Sequence, residues 1–206
     1  MDAPPEKEDC VPFVTIDEFF DTNGVRVPHI VAKDLEQGFL LLEDFGDVLL
    51  STQLDDKTVD AHYEQSFKQL IQLQSIDGEG HFPAYSYEKL MTEMSLLTDW
   101  LLPSLQIQPS DDESALIKRT FAILANAALA QPQVIVHRDF HSRNLMLLAD
   151  EQEQGVIDFQ DAVIGADTYD LISITRDAYV QWSPERVYHW FKVFYAVSYT
   201  HLTLPT

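Results

Sequence analysis

The order of apolar and polar residues along the chain shows two periods, and each period predicts a different kind of element. Apolar residues recur every three or four positions, as on one face of a helix, at residues 13–20, 58–76, 87–102, 114–130, 169–180 and 184–196. Short apolar runs between turn residues, which are typical of strands, occur at residues 38–42, 134–136, 144–148 and 155–157. Residues 25–31 contain Pro28, so this run fits a strand only at a sheet edge. The mixture predicts an α+β fold.

The composition of these segments also predicts which of them are buried. Residues 38–42 are almost wholly apolar and residues 114–130 are rich in alanine and leucine, so we expect both to be buried. The helix 87–102 is expected to end at Pro103. It carries one apolar stripe, formed by Leu90, Met94, Leu97 and Leu101. The acidic residues 111–113 fit a helix start, where carboxylates interact favourably with the helix dipole.

The charge balance narrows the range of partners. Thirteen lysine and arginine residues face 34 aspartate and glutamate residues, which gives a formal net charge of −21. Such a surface repels phosphate backbones and anionic membranes, so neither nucleic acid nor a membrane is an expected partner. The single cysteine, Cys10, lies among acidic residues that disfavour a thiolate, so we interpret it as structural. With no disulfide possible within the chain and no apolar leader or membrane-length run, we expect a cytoplasmic location.

Residues 134–158 contain a constellation that suits phosphoryl transfer. A predicted strand leads into His137-Arg138-Asp139, Asn144 lies five positions after Asp139, and a later strand ends at Asp158. Transfer of a phosphoryl group to a hydroxyl needs a carboxylate that orients the acceptor and takes its proton, and Asp139 fits this role. It also needs oxygen ligands for Mg²⁺, and Asn144 and Asp158 are of the right type. The predicted hairpin between them would return Asp158 to the loop that holds Asp139.

This segment resembles the catalytic loop of the protein-kinase-like superfamily, whose pattern is His-x-Asp-x-x-x-x-Asn followed by Asp-Phe. It is most similar to the aminoglycoside phosphotransferase family, in which a second aspartate follows the first, here Asp161 after Asp158. The resemblance implies a protein-kinase-like fold with a mostly helical C-lobe and a small catalytic β-hairpin. It also implies that ATP and Mg²⁺ are used, and that His137 and Asp170 brace the catalytic loop.

Several further segments resemble one subgroup of that family, the bacterial kinases that phosphorylate the anomeric hydroxyl of N-acetylmuramate and N-acetylglucosamine in peptidoglycan recycling. These segments are MDAPP at the start, GFLLLEDFG at 38–46, the helix with Glu93 and Trp100, HRDFHSRNLM, and IDFQDAVIGADTYDL. The resemblance implies a nucleotide and a small sugar as partners, and it leaves the oligomeric state open. It further implies a hinge between lobes whose backbone contacts the adenine, formed by Leu42, Glu43, Asp44 and Phe45.

Four residues are candidates for substrate contact, and three of them, Trp100, Arg143 and Asp161, have an alternative interpretation. Trp100, on the same helix as Glu93, either stacks on a sugar ring or packs in the core, and its amphipathic helix favours the core. Arg143 either binds an anion, such as the γ-phosphate or an acceptor carboxylate, or forms a salt bridge with a neighbouring acidic residue. Asp161 lies either beside the metal site or simply on the surface. Residues 140–142 project from the same loop and are candidates for shaping the acceptor pocket.

No glycine-rich phosphate loop and no Val-Ala-Ile-Lys strand occur in the chain, and in the resembled family these elements precede the MDAPP segment. We therefore expect the N-lobe to be largely missing. Residues 1–46 would then be its remnant with the hinge, and residues 47–196 the C-lobe with the catalytic and metal site. Residues 197–206 contain no acidic residue and do not fit the preceding helix pattern, so we interpret them as a non-native tail.

Three functional hypotheses follow. The first is an ATP-dependent kinase of N-acetylmuramate and N-acetylglucosamine. The second is a kinase of the same fold that acts on an aminoglycoside or choline, which the negative charge mildly favours. The third is an inactive, truncated binding module, against which the presence of Asp139, Asn144 and Asp158 argues.

Overall fold

The computed structural model describes residues 1–4, 9–149 and 153–202, with side chains as far as residue 198. The helices are α1 (Val11–Thr22), α2 (Val59–Ser75), α3 (Tyr87–Leu96), α4 (Leu102–Ser104), α5 (Asp111–Leu129), α6 (Tyr169–Thr175) and α7 (Pro184–Leu202). The strands are β1 (Ile30–Asp34), β2 (Phe39–Leu42), β3 (Gln133–Val136), β4 (Leu145–Leu147), β5 (Gln154–Val156) and β6 (Val163–Ala166). A 3₁₀ turn covers Leu50–Thr52, and a π-helical turn, Leu97–Leu101, joins α3 to α4.

The strands form three antiparallel pairs, β1 with β2, β3 with β6 and β4 with β5. The β4–β5 hairpin is short, but neighbouring backbone covers both of its edges. The N–H of Leu147 donates to the carbonyl of Val48 at 2.8 Å, and the N–H of Val156 donates to the carbonyl of Arg26 at 2.7 Å. These bonds satisfy backbone groups that an open edge would leave unpaired, so the hairpin is a firm support for the residues at its ends.

The main hydrophobic core forms around α2. This helix buries one stripe of apolar side chains at spacings of three and four residues, including Tyr63, Phe67, Leu70 and Ile71. The hairpin, β3, α6 and α7 pack on this stripe. At the hairpin, the buried Gln154 side chain accepts from the hydroxyl of Ser66 at 2.8 Å, so a polar contact also fixes β5 to α2.

The structure confirms most of the predicted helices and strands, including the start of α7 at Pro184. The predicted acidic start of α5 is confirmed and belongs to a capping box, in which the hydroxyl of Ser110 accepts from the N–H of Glu113. Cys10 is buried at the start of α1, as expected for a structural cysteine. In the described residues, no helix has the length and apolar character required to cross a bilayer.

Two predictions of burial were wrong. In β2, Phe39 and Leu41 are 48% and 60% exposed, and only Leu40 is buried, because the strand pairs with β1 alone and faces the protein on one side. In α5, Ala125 is the only buried residue, although the helix is rich in alanine and leucine. Composition indicates a helix that can be buried, but it does not say whether another element covers that helix.

Several boundaries also differ from the prediction. Residues 25–29 are not a strand, although Val25 and Val27 are buried, and the strand in this region is Ile30–Asp34. Helix α6 ends at Thr175 rather than near residue 180. Helix α7 continues to Leu202, so the expectation that residues 197–206 do not continue this helix was wrong for residues 197–202. Residues 203–206 lie outside the described residues. The non-native origin of this tail and the division of the chain at residue 46 stay predictions.

Strand β6, Val163–Ala166, was not predicted. The missed signal is the apolar run 162–164 that follows the acidic residues of the second loop. This strand matters for the site because it closes the sheet with β3 and thereby fixes the far end of that loop.

Candidate functional site

Two loops meet at one end of the strand pairs. The first loop, residues 137–144, joins β3 to β4, and the second, residues 157–162, joins β5 to β6. Because β4 pairs with β5 and β3 pairs with β6, the strand pairing brings the two loops side by side. The N–H of Ile157 donates to the carbonyl of Asn144 at 3.0 Å and links them directly.

The ring of His137 connects the two loops. Its Nδ1 atom accepts from the N–H of Asp139 at 3.2 Å, and its Nε2 atom lies 3.1 Å from the carbonyl of Ile157. These two contacts assign the proton to Nε2, because a carbonyl only accepts. Burial lowers the pKa of His137 to about 4, so the ring is neutral at pH 7. The ring therefore serves as a structural link, and a role as general base is not supported by its position.

Asp170, in the first turn of α6, holds the start of the first loop. Its carboxylate accepts from the N–H of His137 at 2.7 Å and from the N–H of Arg138 at 3.1 Å. The side chain is fully buried, and this burial raises the pKa of Asp170 to about 7. Asp170 thus satisfies two backbone donors that lie next to Asp139, which supports the bracing role implied for it.

Asn144 contacts both aspartates of the constellation. Its Nδ2 group donates to the backbone carbonyl of Asp139 at 3.0 Å and to Oδ2 of Asp158 at 3.2 Å. Asp158 also accepts from Nε2 of Gln160 at 2.8 Å. Since both donations of Asn144 use its nitrogen, its amide oxygen is the atom that can face a metal ion. The three predicted residues therefore come together, although Asp139 and Asp158 lie on different loops.

Two residues of the site have an unusual backbone conformation. Arg138 and Asp158 have φ angles of +77° and +66°, and among the described residues other than glycine only Gln106 shares this feature. A positive φ costs an ordinary residue roughly 1–3 kcal/mol, and such residues concentrate at functional sites, where the surrounding structure holds them in place. Here the hydrogen bonds from Asp170 and Asn144 supply that support.

A cavity of about 550 Å³ is lined by Asn144, Asp158 and Asp161 together with Pro12 and Phe13 of α1. A larger cavity of about 660 Å³ lies between α3 and α5. None of the predicted catalytic or metal-binding residues lines that second cavity, so we assign the site to the first.

The donor set at the first cavity fits Mg²⁺. An amide oxygen and a carboxylate are hard oxygen ligands, and Mg²⁺ is usually held by one or two carboxylates together with water and substrate phosphates. No group of three or more histidine, cysteine or acidic side chains in the described part of the chain could form a metal site of the fully protein-bound kind. Asn144 and Asp158 are therefore suited to hold a metal that arrives with a nucleotide.

The predicted hinge, Leu42–Phe45, is fixed by side-chain contacts. The carboxylate of Glu43 forms a bidentate pair with Arg26 at 2.5 and 2.7 Å, and this hydrogen bonding lowers the pKa of Glu43 to about 2. The N–H of Glu43 already donates to the carbonyl of His29 at 2.8 Å, so this group of the predicted hinge is not available to an adenine in this conformation. The guanidinium of Arg26 also lies over the ring of Phe45, at 4.6 Å from its centre. The contact of this segment with a nucleotide stays a prediction.

Glu93 and Asp161, two candidates for substrate contact, are both engaged by Arg138. Glu93 accepts from Arg138 at 2.7 Å and also from the hydroxyl of Tyr85, and Asp161 lies 3.7 Å from the same guanidinium. Glu93 therefore ties α3 to the catalytic loop. Asp161 is exposed and lines the cavity beside Asp158, so a place near the metal fits its position.

For Arg143 and Trp100, the structure does not support the alternatives to substrate contact, which were a salt bridge and packing in the core. The salt bridges of the described residues do not include Arg143, and its guanidinium instead lies 3.8 Å from the centre of the Tyr179 ring. Trp100 is 73% exposed on the π-helical turn, so the interpretation that it packs in the core was wrong. Helix α3, the π-helical turn and α4 contain no buried residue, so this stretch of the chain offers no core position for Trp100.

Sequence reasoning missed the residues that hold the first loop from outside. Arg138 was treated as part of a motif only, and its partner Glu93 lies 45 positions away in the sequence, where no local pattern points to it. Asp177 was not considered either, yet its buried carboxylate accepts from the N–H of Ser142 at 2.9 Å. Both are long-range contacts, and an acidic residue within a predicted helix, as Glu93 and Asp177 both are, gives no signal by itself.

This arrangement of a braced loop, a hairpin and two convergent metal-type ligands defines the class of protein-kinase-like folds, and comparison with solved structures agrees. Aminoglycoside phosphotransferase APH(3'')-Id from Streptomyces rimosus, solved with ADP and streptomycin, aligns with a TM-score of 0.67 at 14% identity, over 95% of this chain and 77% of that one. The ADP-bound aminoglycoside phosphotransferase APH(2'')-Ib aligns with a TM-score of 0.61 at 20% identity, over 91% of this chain and 69% of that one. At these identities the likeness concerns the fold.

Sequence comparison then places the chain. The family APH, described as a phosphotransferase enzyme family, matches residues 1–201. The chain belongs to this phosphotransferase enzyme family. It is 43% identical to N-acetylmuramate/N-acetylglucosamine kinase of Pseudomonas aeruginosa over 91% of its length, and 36% identical to the protein of the same name from Neisseria meningitidis serogroup B, also over 91%. The chain spans 55% and 56% of the length of these two relatives.

Proposed function

We propose that the site transfers the γ-phosphoryl group of ATP to the anomeric hydroxyl of N-acetylmuramate or N-acetylglucosamine in peptidoglycan recycling. The observation that carries the proposal is the convergence of Asp139, Asn144 and Asp158, linked through Asn144 at 3.0 and 3.2 Å. The relatives named for these two sugars support the choice of acceptor.

In this proposal Asp139 is the catalytic residue that receives the proton of the sugar hydroxyl. The hydroxyl oxygen bonds to the γ-phosphorus as the bond to the β–γ bridging oxygen breaks, which leaves a sugar 1-phosphate and ADP. Asp139 is half-buried, and hydrogen bonds to His137 and Asn144 fix the backbone that carries its carboxylate. Orientation of this kind is the main contribution a protein makes to phosphoryl transfer.

Asn144 and Asp158 would hold Mg²⁺, which neutralises charge on the phosphates when it is bound. The residues Leu42–Phe45 would contact the adenine, and Asp161 would lie beside the metal. The negative charge of the whole chain makes the metal more important, because the acidic surface opposes a free nucleotide. Cytoplasmic location follows from the substrate, since ATP is an intracellular donor.

A second candidate function is phosphorylation of an aminoglycoside or of choline on the same fold. The observation that favours it is the net charge of −21, because these acceptors are cations. It keeps Asp139, Asn144 and Asp158 in the same roles and changes only the acceptor.

The test is a panel of acceptors incubated with the chain, ATP and Mg²⁺, with products identified by phosphorus NMR. The panel contains N-acetylmuramate, N-acetylglucosamine, kanamycin and choline, and the variant Asp139→Asn serves as the catalytic test. We expect an anomeric phosphate on the two amino sugars, with the rate reduced roughly 10²- to 10⁴-fold by Asp139→Asn.

The matched control is Asp99→Asn, which changes an exposed aspartate on the π-helical turn and is expected to leave the rate unchanged. Phosphorylation of kanamycin or choline alone would replace the proposed acceptor by the second candidate. Absence of phosphorylation across the whole panel would contradict catalysis by this chain and favour the inactive binding module.

A further inference from the structure

Two arginines of the catalytic loop have opposite electrostatic surroundings. The guanidinium of Arg138 is neutralised by Glu93 at 2.7 Å and by Asp161 at 3.7 Å. Arg143 is exposed, and the salt bridges of the described residues do not involve it. In a chain with 34 acidic residues, an arginine four positions after the proposed catalytic aspartate that forms no ion pair can attract an anionic group.

The ring of Tyr179 holds Arg143 without neutralising it. The guanidinium carbon of Arg143 lies 3.8 Å from the centre of the ring, which is a close cation–π contact. An aromatic ring restricts the guanidinium but leaves its N–H donors, which lie in the guanidinium plane, able to bind a carboxylate in bidentate geometry. The pair is therefore built like a binding group that has been oriented in advance.

The position of Tyr179 is fixed relative to the catalytic loop by one buried carboxylate. Asp177 accepts from the N–H of Ser142 at 2.9 Å and from the N–H of Tyr179 at 2.8 Å. Asp177 is 7% exposed, so these bonds are shielded from water. The ring of His141 also contacts Tyr179, with 5.2 Å between ring centres. These contacts fix the connection between α6 and α7 relative to residues 141–143.

Two polar atoms beside this pair are without a partner within the described residues. Oγ of Ser142 and Nδ1 of His141 are both buried and make no hydrogen bond in this structure. Buried polar atoms of this kind are costly unless a ligand or water satisfies them. Their place in the loop between Asp139 and Asn144 puts two unsatisfied polar atoms in the residues that directly precede Arg143.

The location of the pair separates it from the metal side of the site. The cavity at Asn144 and Asp158 is not lined by Arg143 or Tyr179. Nucleotide phosphates must lie at the metal ligands, so Arg143 and Tyr179 lie outside the cavity that would receive them and remain available to an acceptor that approaches Asp139.

We propose that Arg143, held by Tyr179, forms an anion subsite for the acceptor and recognises the lactyl carboxylate that distinguishes N-acetylmuramate from N-acetylglucosamine. Arg143 is the specificity-determining residue and Tyr179 is its positioning residue. This inference rests on the proposed function, and it adds what makes one of the two sugars the better substrate.

The test compares the two sugars, because they are the same ring with and without the carboxylate. kcat/KM with Mg-ATP is measured for each sugar, and binding of each sugar in the presence of Mg-ADP is measured by saturation-transfer NMR. The binding measurement reports the preference between the two sugars independently of turnover. Arg143→Gln is expected to lower both quantities for N-acetylmuramate by tenfold or more and to leave N-acetylglucosamine within twofold, because only the charge-assisted contact is lost.

Tyr179→Ala is expected to reduce the preference for N-acetylmuramate by roughly threefold or more, and Tyr179→Phe is expected to retain it, because the ring and not the hydroxyl orients Arg143. The matched controls are Lys192→Gln and Tyr188→Ala. These residues form a second cation–π pair, at 4.5 Å on α7, and their replacement is expected to leave both sugars unchanged within twofold.

Three results would overturn the inference in distinguishable ways. Equal losses for both sugars in Arg143→Gln, with a raised KM for ATP, would assign Arg143 to the γ-phosphate. An unchanged ratio of the two sugars in Arg143→Gln would remove the anion subsite while leaving the proposed function in place. A wild-type chain that neither binds nor phosphorylates either sugar would contradict the proposed function itself, and the inference with it.

Discussion

The hydrophobic core around α2 and the outer helices, residues 87–129, differ in what they bury. The α2 core encloses large side chains such as Tyr63, Phe140 and Phe159, all under 2% exposed. In the outer helices, α3, the π-helical turn and α4 contain no buried residue, and α5 contains only Ala125. The two loops of the candidate site are attached to the first region. The comparison shows that the position of the site depends on the region in which large apolar side chains are buried.

Polar groups follow the same division. Inside the α2 core and at its edge, the polar side chains of His137, Asp170 and Gln154 are all buried. Each forms a hydrogen bond with a backbone or side-chain group of another segment. Their bonds cross from one element to another, so they fix relative positions as well as satisfying buried groups. In the outer helices most side-chain hydrogen bonds stay within one helix, as for Thr92 with the carbonyl of Glu88. Glu93 is the exception, because it reaches Arg138 in the catalytic loop.

The largest effect that sharpens this comparison is expected from two tryptophans. Trp190 is 2% exposed in the α2 core, where its ring contacts Tyr63, whereas Trp100 is 73% exposed on the outer helices. Trp190→Ala should lower the free energy of unfolding by roughly 3–5 kcal/mol, because it opens a cavity in the core. Trp100→Ala should change it by less than about 0.5 kcal/mol. Urea unfolding followed by far-UV circular dichroism measures both values, and similar losses in the two variants would contradict the division.

A smaller effect is expected where Phe45 of the predicted hinge contacts the β4–β5 hairpin. A methyl group added at Gly155 would overlap the ring of Phe45, and a rigid ring cannot yield as a flexible chain end can. Gly155→Ala should therefore destabilise the chain by roughly 1–3 kcal/mol. The control is the double variant Gly155→Ala with Phe45→Ala, in which the overlap is gone, so the cost of the alanine at 155 should largely disappear. A cost that persists in the double variant would mean that the strain lies in the backbone of β5 instead.

The smallest effect concerns the pH dependence of stability. Burial raises the pKa of Asp170 to about 7, so this carboxyl binds its proton more tightly in the folded state than in the unfolded state. Its contribution to stability is complete below its ordinary pKa near 3.8 and is lost as the pH rises through about 7. The difference in unfolding free energy between the wild type and Asp170→Asn should therefore fall by about 1 kcal/mol per pH unit between pH 5 and 7.

Urea unfolding of both proteins at several pH values measures this difference. His137 titrates in the opposite sense, since its lowered pKa of about 4 makes stability increase with pH up to its ordinary value near 6.5. Because His137 is present in both proteins, its contribution cancels in the difference. A difference that is constant or rises with pH would show that Asp170 is ionised throughout.

The sequence predicted those features of the site that depend on local structure. Asp139, Asn144 and Asp158 come together because a strand, a loop and a hairpin of fixed lengths leave little freedom in that segment. The tautomer and charge of His137 could not be predicted, because they depend on complete burial and on the carbonyl of Ile157, which lies 20 positions away.

The features that were missed depend on contacts between distant segments. The periodicity of residues 114–130 predicted the helix α5 correctly, but the pattern contains no information about what covers that helix, and most of it is exposed. The contact of Arg143 with Tyr179 joins two loops 36 positions apart, and neither residue type indicates the other in advance. Arg138 and Glu93 are a further case of the same kind.

The measurement that tests the central claim most directly is Mg²⁺-dependent binding of ADP, by isothermal titration calorimetry, to the wild type, Asp158→Asn and the control Asp99→Asn. Asp158 lines the site cavity with Asn144, and it supplies the one carboxylate that our account places on the metal. We predict that Mg²⁺ strengthens ADP binding to the wild type and to Asp99→Asn, and that Asp158→Asn loses this dependence, with binding at least tenfold weaker, or about 1.4 kcal/mol. Binding that is the same with and without Mg²⁺, or that is unchanged in Asp158→Asn, would contradict a phosphoryl-transfer site at this position.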